Sequence, residues 1–200
     1  MEQGCSRRPS STAPRGNLAQ PDRAQLGASQ VPMTHCGTQT PAAGSSGAII
    51  TMEEGMQSKL LDERGGKRTF AVVLQTGDEA MRCLQDFAVK ERIGGAQVTA
   101  IGALSAAKLA YFDWEMKQYR PIPVTEQVEV ASLVGDIAIG PDGAPSVHVH
   151  AVLGRRDGGA LAGHLLEARV RPTLEIIVTE SPAHLCKVKD RESGLALIKL

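Results

Sequence analysis

From Gln97 onward the chain is one strand-forming stretch after another, and the links between them are too short for anything but antiparallel neighbours. Gln97 to Leu104, Lys108 to Trp114, Val124 to Ile139, Val147 to Leu153, Leu165 to Val170 and Leu174 to Thr179 read as strands, and Leu195 to Leu200 as one more. Turn clusters separate them: Arg120-Pro121-Ile122-Pro123, Pro141-Asp142-Gly143 and Asp157-Gly158-Gly159. Lys67 to Gln75 supplies a further strand upstream. Thr76 then reads as an N-cap with Glu79 three residues on, which predicts a helix carrying Ala80, Met81, Leu84, Phe87 and Ala88 on one face and stopping at Gly94-Gly95. The fold class expected is α+β, a largely antiparallel β-sheet with one main α-helix packed on it.

The core begins late. All six aromatic residues lie between Phe70 and Tyr119, while Pro9, Pro14, Pro21, Pro32 and Pro41 interrupt an N-terminal stretch without helical or strand periodicity. Ordering a backbone costs about 1–2 kcal/mol per residue, and such a stretch buries too little apolar surface to offset it. Residues 1–55 are therefore read as a disordered or spurious N-terminal extension, with Met33, Met52 and Met56 as alternative starts, and residues 56–200 as the folded domain.

Composition narrows the classes of function. Twenty-two basic residues balance 22 acidic ones, so the bulk positive field that grips phosphates is missing. DNA is expected to be bound only weakly or through protein partners. The longest apolar run, around Phe70 to Leu74, is far short of the roughly 18 residues of a membrane span, which argues for no membrane partner. Cys5, Cys36, Cys83 and Cys186 form no CxxC pair and read as reduced thiols of a cytoplasmic protein.

Chemistry concentrates in the histidines. In Ser146-Val147-His148-Val149-His150-Ala151, strand alternation sends His148 and His150 to one face and the apolar residues to the other. A hairpin centred on Asp157 pairs residues whose numbers sum to 314, which sets His164 opposite His150. Directly opposed residues project from the same face with Cβ atoms about 4.5–5.5 Å apart, so three imidazoles converge in this register. A slip of one residue would turn His164 away. Three neutral imidazoles suit a divalent metal, Zn²⁺ above all, and three protein ligands with an open position is the arrangement of catalytic zinc sites. The bland reading is two polar residues on a wet face and one in a turn. Glu129, Asp136, Glu167 and Glu175 lie in strands, where an inward carboxylate could act as a base or orient a histidine. Ser132 and Ser146 have no nucleophile-elbow context, and His35 and His184 receive no role.

From about Ser58 to Leu200 the chain resembles the plant-and-prokaryote-conserved (PPC) domain. The resemblance runs in order through Gly77-Asp78-Glu79, Ile101-Gly102-Ala103-Leu104, Ala110-Tyr111-Phe112-Asp113, Glu129-Val130-Ala131-Ser132-Leu133-Val134-Gly135, His148-Val149-His150, Ala162-Gly163-His164-Leu165, Pro172-Thr173-Leu174-Glu175 and Gly194-Leu195. It implies an α+β subunit that assembles as a homotrimer and a triple-histidine metal site falling on His148, His150 and His164. It also implies a role in transcription regulation, since plant members carry AT-hooks. This chain departs there: it has no Arg-Gly-Arg-Pro, and the plant Gly-Arg-Phe-Glu-Ile-Leu motif corresponds to Glu126-Gln127-Val128-Glu129-Val130-Ala131, which keeps essentially the glutamate alone. The function expected is a trimeric, DNA-associated regulatory module with a triple-histidine metal site and no AT-hook of its own. The alternative is a zinc-dependent enzyme of hydrolase type that uses the open coordination position.

Overall fold

Alternation sorts the strands into an inner and an outer face. In KRTFAVVLQ, for example, Phe70, Val72 and Leu74 are buried while the residues between them keep some exposure. The computed structural model describes residues 55–200, and the readings made above for the N-terminal extension lie outside the described residues. In chain order the elements are β1 (Gln57–Arg64), β2 (Lys67–Gln75), α1 (Ala80–Lys90), β3 (Gly95–Asp113), β4 (Gln118–Val124), β5 (Val128–Ile139), β6 (Pro145–Gly154), β7 (Ala160–Glu180), β8 (Cys186–Lys189) and β9 (Ala196–Lys199).

All pairings but one are antiparallel, the exception being a single parallel bridge of Ile139 with Cys186. β3 pairs β5, β5 pairs β6, β6 pairs β7, and β7 returns to pair β3, so the hydrogen-bonded circuit closes on itself. Closure leaves these strands no free edge along the paired stretches. Val98, Leu109, Leu133, Ile137, Val149, Leu153 and Leu174 fill the inner face, each at most 1% exposed. The helix α1 buries Ala80, Leu84, Phe87 and Ala88, with Phe87 edge-on to Phe70 at 5.3 Å.

The described residues are thus mostly β, antiparallel-rich, with one helix of 11 residues. An α+β class built on a main helix fits this only loosely. The helix is short because both its ends differ from the sequence expectation. Glu79, not Thr76, is the N-cap: its carboxylate accepts from the amides of Met81 and Arg82 at 3.4 and 2.8 Å, and also from that of Ala168 at 2.9 Å. The Thr76 hydroxyl instead donates to the Pro172 carbonyl at 3.0 Å. At the other end Arg92 takes the left-handed conformation, φ 55°, before the glycines are reached. Gly94 and Gly95 serve packing: a Cβ on them would come within 2.6 Å of the His184 ring and 2.8 Å of the Ala183 carbonyl.

Two further expectations change. Arg120-Pro121-Ile122-Pro123, read as a turn, lies in β4, which pairs only with β3; an edge strand tolerates residues that cannot donate to a ladder. The strands read as separate pairs at Gln97 to Trp114 and Leu165 to Thr179 are single strands of 19 and 21 residues.

The closest backbone approach on the circuit tests its tightness. A Cβ on Gly135 would lie 2.0 Å from the His148 carbonyl oxygen and 2.6 Å from the Val149 Cα. Gly135→Ala should force β6 off β5 and cost about 1–3 kcal/mol or more. Thermal denaturation reads this as a melting temperature lower by several degrees, and an unchanged melting temperature would refute the tight β5–β6 packing.

Candidate metal centre

Two neighbouring registers assemble the site. On β6 the inward Val149, Ala151 and Leu153 are at most 3% exposed, which leaves His148 and His150 on the outer face. The turn to β7 closes through Arg155 N–H to the Gly159 carbonyl at 2.8 Å and Gly158 N–H to the Arg155 carbonyl at 3.0 Å, with Gly158 at φ 82°. From there the pairing runs Gly154 with Ala160, Val152 with Ala162 and His150 with His164. The register expected from the sequence is the one observed. On the other side of β6, Asp136 pairs with His148 and Val134 with His150.

The ring centroids of the three histidines are 5.2 Å (His148–His150), 5.0 Å (His148–His164) and 5.3 Å (His150–His164) apart. One ligand atom from each lies within 4.8 Å of the other two, and this is the one such group of three among the described residues. His164 is held from behind by Tyr119 of β4, whose ring stacks on it at 4.6 Å and 20°. Gly163 makes room for that arrangement, since a Cβ there would meet the Ala110 carbonyl at 2.7 Å.

Protonation follows from burial. His164 is lowered to about 4, by loss of solvent first and then by the charges of His148, His150 and Lys187. His150 keeps an exposed edge, yet solvent exclusion and then His148 lower it as well. Asp136 is the acidic group beside the rings. Burial alone would raise it, but His148 Nδ1 at 3.5 Å and Lys187 Nζ at 2.6 Å hold it below the ordinary carboxylate value. The Nδ1 atom of His164 is buried without a hydrogen-bond partner. Imidazole nitrogen lone pairs can coordinate a cation, and with His148 Nδ1 facing a carboxylate, Nε2 is the nitrogen left for that purpose.

Of the other carboxylates considered, Glu167 pairs with Lys108, and Glu129 and Glu175 are exposed. Asp136 is one of four strand carboxylates that the sequence offers, and nothing local marks Lys187, which reaches it from a strand 51 positions away. Cys83 and Cys186 are free thiols, and His184 packs on Gly94 away from the triad. No helix among the described residues is long and apolar enough to cross a membrane.

A closed antiparallel β circuit with three convergent imidazoles on its outer face defines a class of β domains that carry a histidine cluster. The chain belongs to the Plants and Prokaryotes Conserved (PCC, also written PPC) domain family, which it matches over residues 61–182. No curated protein matches it. Among solved structures it is similar to a PPC protein of Pyrococcus horikoshii, at 34% identity over 66% of this chain and 92% of that one, with a TM-score of 0.62. A metal-containing protein of Archaeoglobus fulgidus is 29% identical over 72% of this chain and 98% of its own, TM-score 0.62. A candidate DNA-binding protein of Ralstonia eutropha is 32% identical over 66% and 90%, TM-score 0.61.

The depressed His164 predicts an acid-labile apo protein. An unfolded histidine takes its proton near 6.5, whereas folded His164 does so only at about 4, so acid favours the unfolded chain. In chelator-treated protein, stability should be intact above roughly pH 6.5 and fall as pH drops toward the folded value. His164→Gln should flatten that part of the melting temperature against pH curve; an identical slope in both proteins would remove His164 as its source.

Proposed function

We propose that this PCC-domain chain is a cytoplasmic, homotrimeric regulatory module that holds one divalent metal ion, Zn²⁺ by preference, on His148, His150 and His164. The observation that carries the reading is the convergence of three imidazoles, one ligand atom from each within 4.8 Å of the other two, with His164 Nδ1 buried and partnerless. A buried polar atom without a partner is costly, and a cation ligated there relieves that cost. Imidazole nitrogen is a donor suited to zinc, and the relative in Archaeoglobus fulgidus is described as containing a metal. A zinc ion with an open position supplies Lewis acidity and acidifies a bound water toward about 7.

Assembly is supported by the surface around the rings. Val134, directly across from His150, is 50% exposed, Val152 on the next outward position is 39% exposed, and Ile101 on neighbouring β3 is 62% exposed. Apolar side chains clustered on one sheet face are the mark of an interface. The relatives described as candidate DNA-binding proteins support a DNA-associated role, which zero net charge makes indirect, through partners.

Elemental analysis of chelator-stripped protein reloaded with zinc should give one ion per chain, and the His148→Ala, His150→Ala double variant should give almost none. A stoichiometry near zero in the parent, or an undiminished one in the variant, sinks the site. Light scattering at micromolar concentration should return three times the chain mass, and Val134→Asp should shift it toward the monomer. A monomeric parent would end the trimer proposal.

A further inference from the structure

The strangest group near the histidines is Lys187. Its side chain is 3% exposed, although it sits on the short C-terminal β8–β9 hairpin whose neighbouring positions are open to solvent. A buried ammonium is costly unless a countercharge and hydrogen-bond acceptors surround it. Here the countercharge is Asp136, whose buried Oδ1 has no hydrogen-bond partner but makes an ionic contact with Nζ at 2.6 Å, and the Ser146 carbonyl accepts at 3.3 Å. The other carboxylate oxygen of Asp136 lies 3.5 Å from Nδ1 of His148. The β5–β6 register puts Asp136 directly opposite His148, and the Ile139–Cys186 bridge brings Lys187 down beside Asp136. The family match ends at residue 182, so Lys187 lies beyond the matched segment.

We infer that Asp136 and Lys187 are a positioning pair for the histidine cluster: Lys187 pins one carboxylate oxygen so that the other accepts from His148 Nδ1–H, which fixes the tautomer and frees Nε2. In its consequence for metal the inference rests on the reading of the three histidines as ligands. Asp136 touches no other histidine of the cluster, and its partners on the elements packed around it are Lys187 and His148. Fixing the tautomer and ring orientation of a ligating histidine through its second nitrogen is worth roughly 10–100-fold in metal affinity. The C-terminal hairpin thereby becomes part of the site without supplying a ligand.

Removing Asp136 alone strands a buried ammonium and can unfold the protein, so the variant to use is the neutral pair Asp136→Leu, Lys187→Met. Zinc affinity, read by competition with a chromophoric chelator, should fall about 10–100-fold in this folded double variant while its melting temperature stays within a few degrees of the parent. A folded double variant that binds zinc as the parent does overturns the inference. The second measurement needs no variant and no metal: long-range ¹H–¹⁵N correlation on the apo parent at alkaline pH should show His148 protonated at Nδ1. Protonation at Nε2 overturns the inference even if the double variant fails to fold. A parent that binds no zinc sinks the metal reading alone, and the tautomer then decides the pair.

Discussion

The register of the β6–β7 hairpin is the constraint on which both the core and the site depend. Side chains in a strand alternate with a period of two, so the pairing that sets His150 opposite His164 also turns Val149, Ala151 and Leu153 inward. Slipping one residue would expose those apolar groups and drive the imidazoles into the core. Returning a buried Val or Leu to water costs about 1.5–3 kcal/mol each, before the penalty of burying polar rings is counted. The imidazoles therefore gather because the opposite face of their strand is committed to the core. They need no attraction to one another beyond the edge-to-face contacts that this register brings about.

Close backbone approach makes that register stiff. Gly135 on one side of β6 and Gly163 on the other occupy positions where any side chain would strike a carbonyl of the neighbouring strand. Each lies one residue from a group of the site, Asp136 or His164. The same closeness strips water from the rings, and desolvation is the first cause of the depressed His164 and His150. Packing thus acts on protonation: loss of solvent disfavours the charged form of His164 and of His150.

How much of this the sequence discloses depends on whether the signal is local. The histidine cluster is legible because alternation and turn arithmetic act over a span of about a dozen residues, His150 to His164, and both are short-range rules. β1 is illegible for the opposite reason, since all its residues are exposed and no alternation marks it. The prolines of β4 imitate a turn because the rule against proline in strands lapses at an edge. Helix α1 is misplaced at its start because the Glu79 carboxylate is recruited by the Ala168 amide of β7 as well as by the helix, a contact across 89 positions. Lys187 is hidden in the same way. A lysine in a short polar stretch reads as solvated, and only the fold shows it buried against Asp136.

The outer face of β5 and β6 explains why assembly and ligation belong together in the proposed trimer. Near the rings Val134 and Val152 are open to solvent, as is Ile101 on β3. In the proposed trimer such a face meets a second subunit. His150 is the ring with an exposed edge, and it lies directly across from Val134. A subunit seated on Val134 would remove solvent from His150 too. A desolvated imidazole resists protonation, and coordination requires the neutral form. Burial of the apolar strip would consequently strengthen the donor set beside it, and a cation on the rings would in turn favour the state in which that strip is covered.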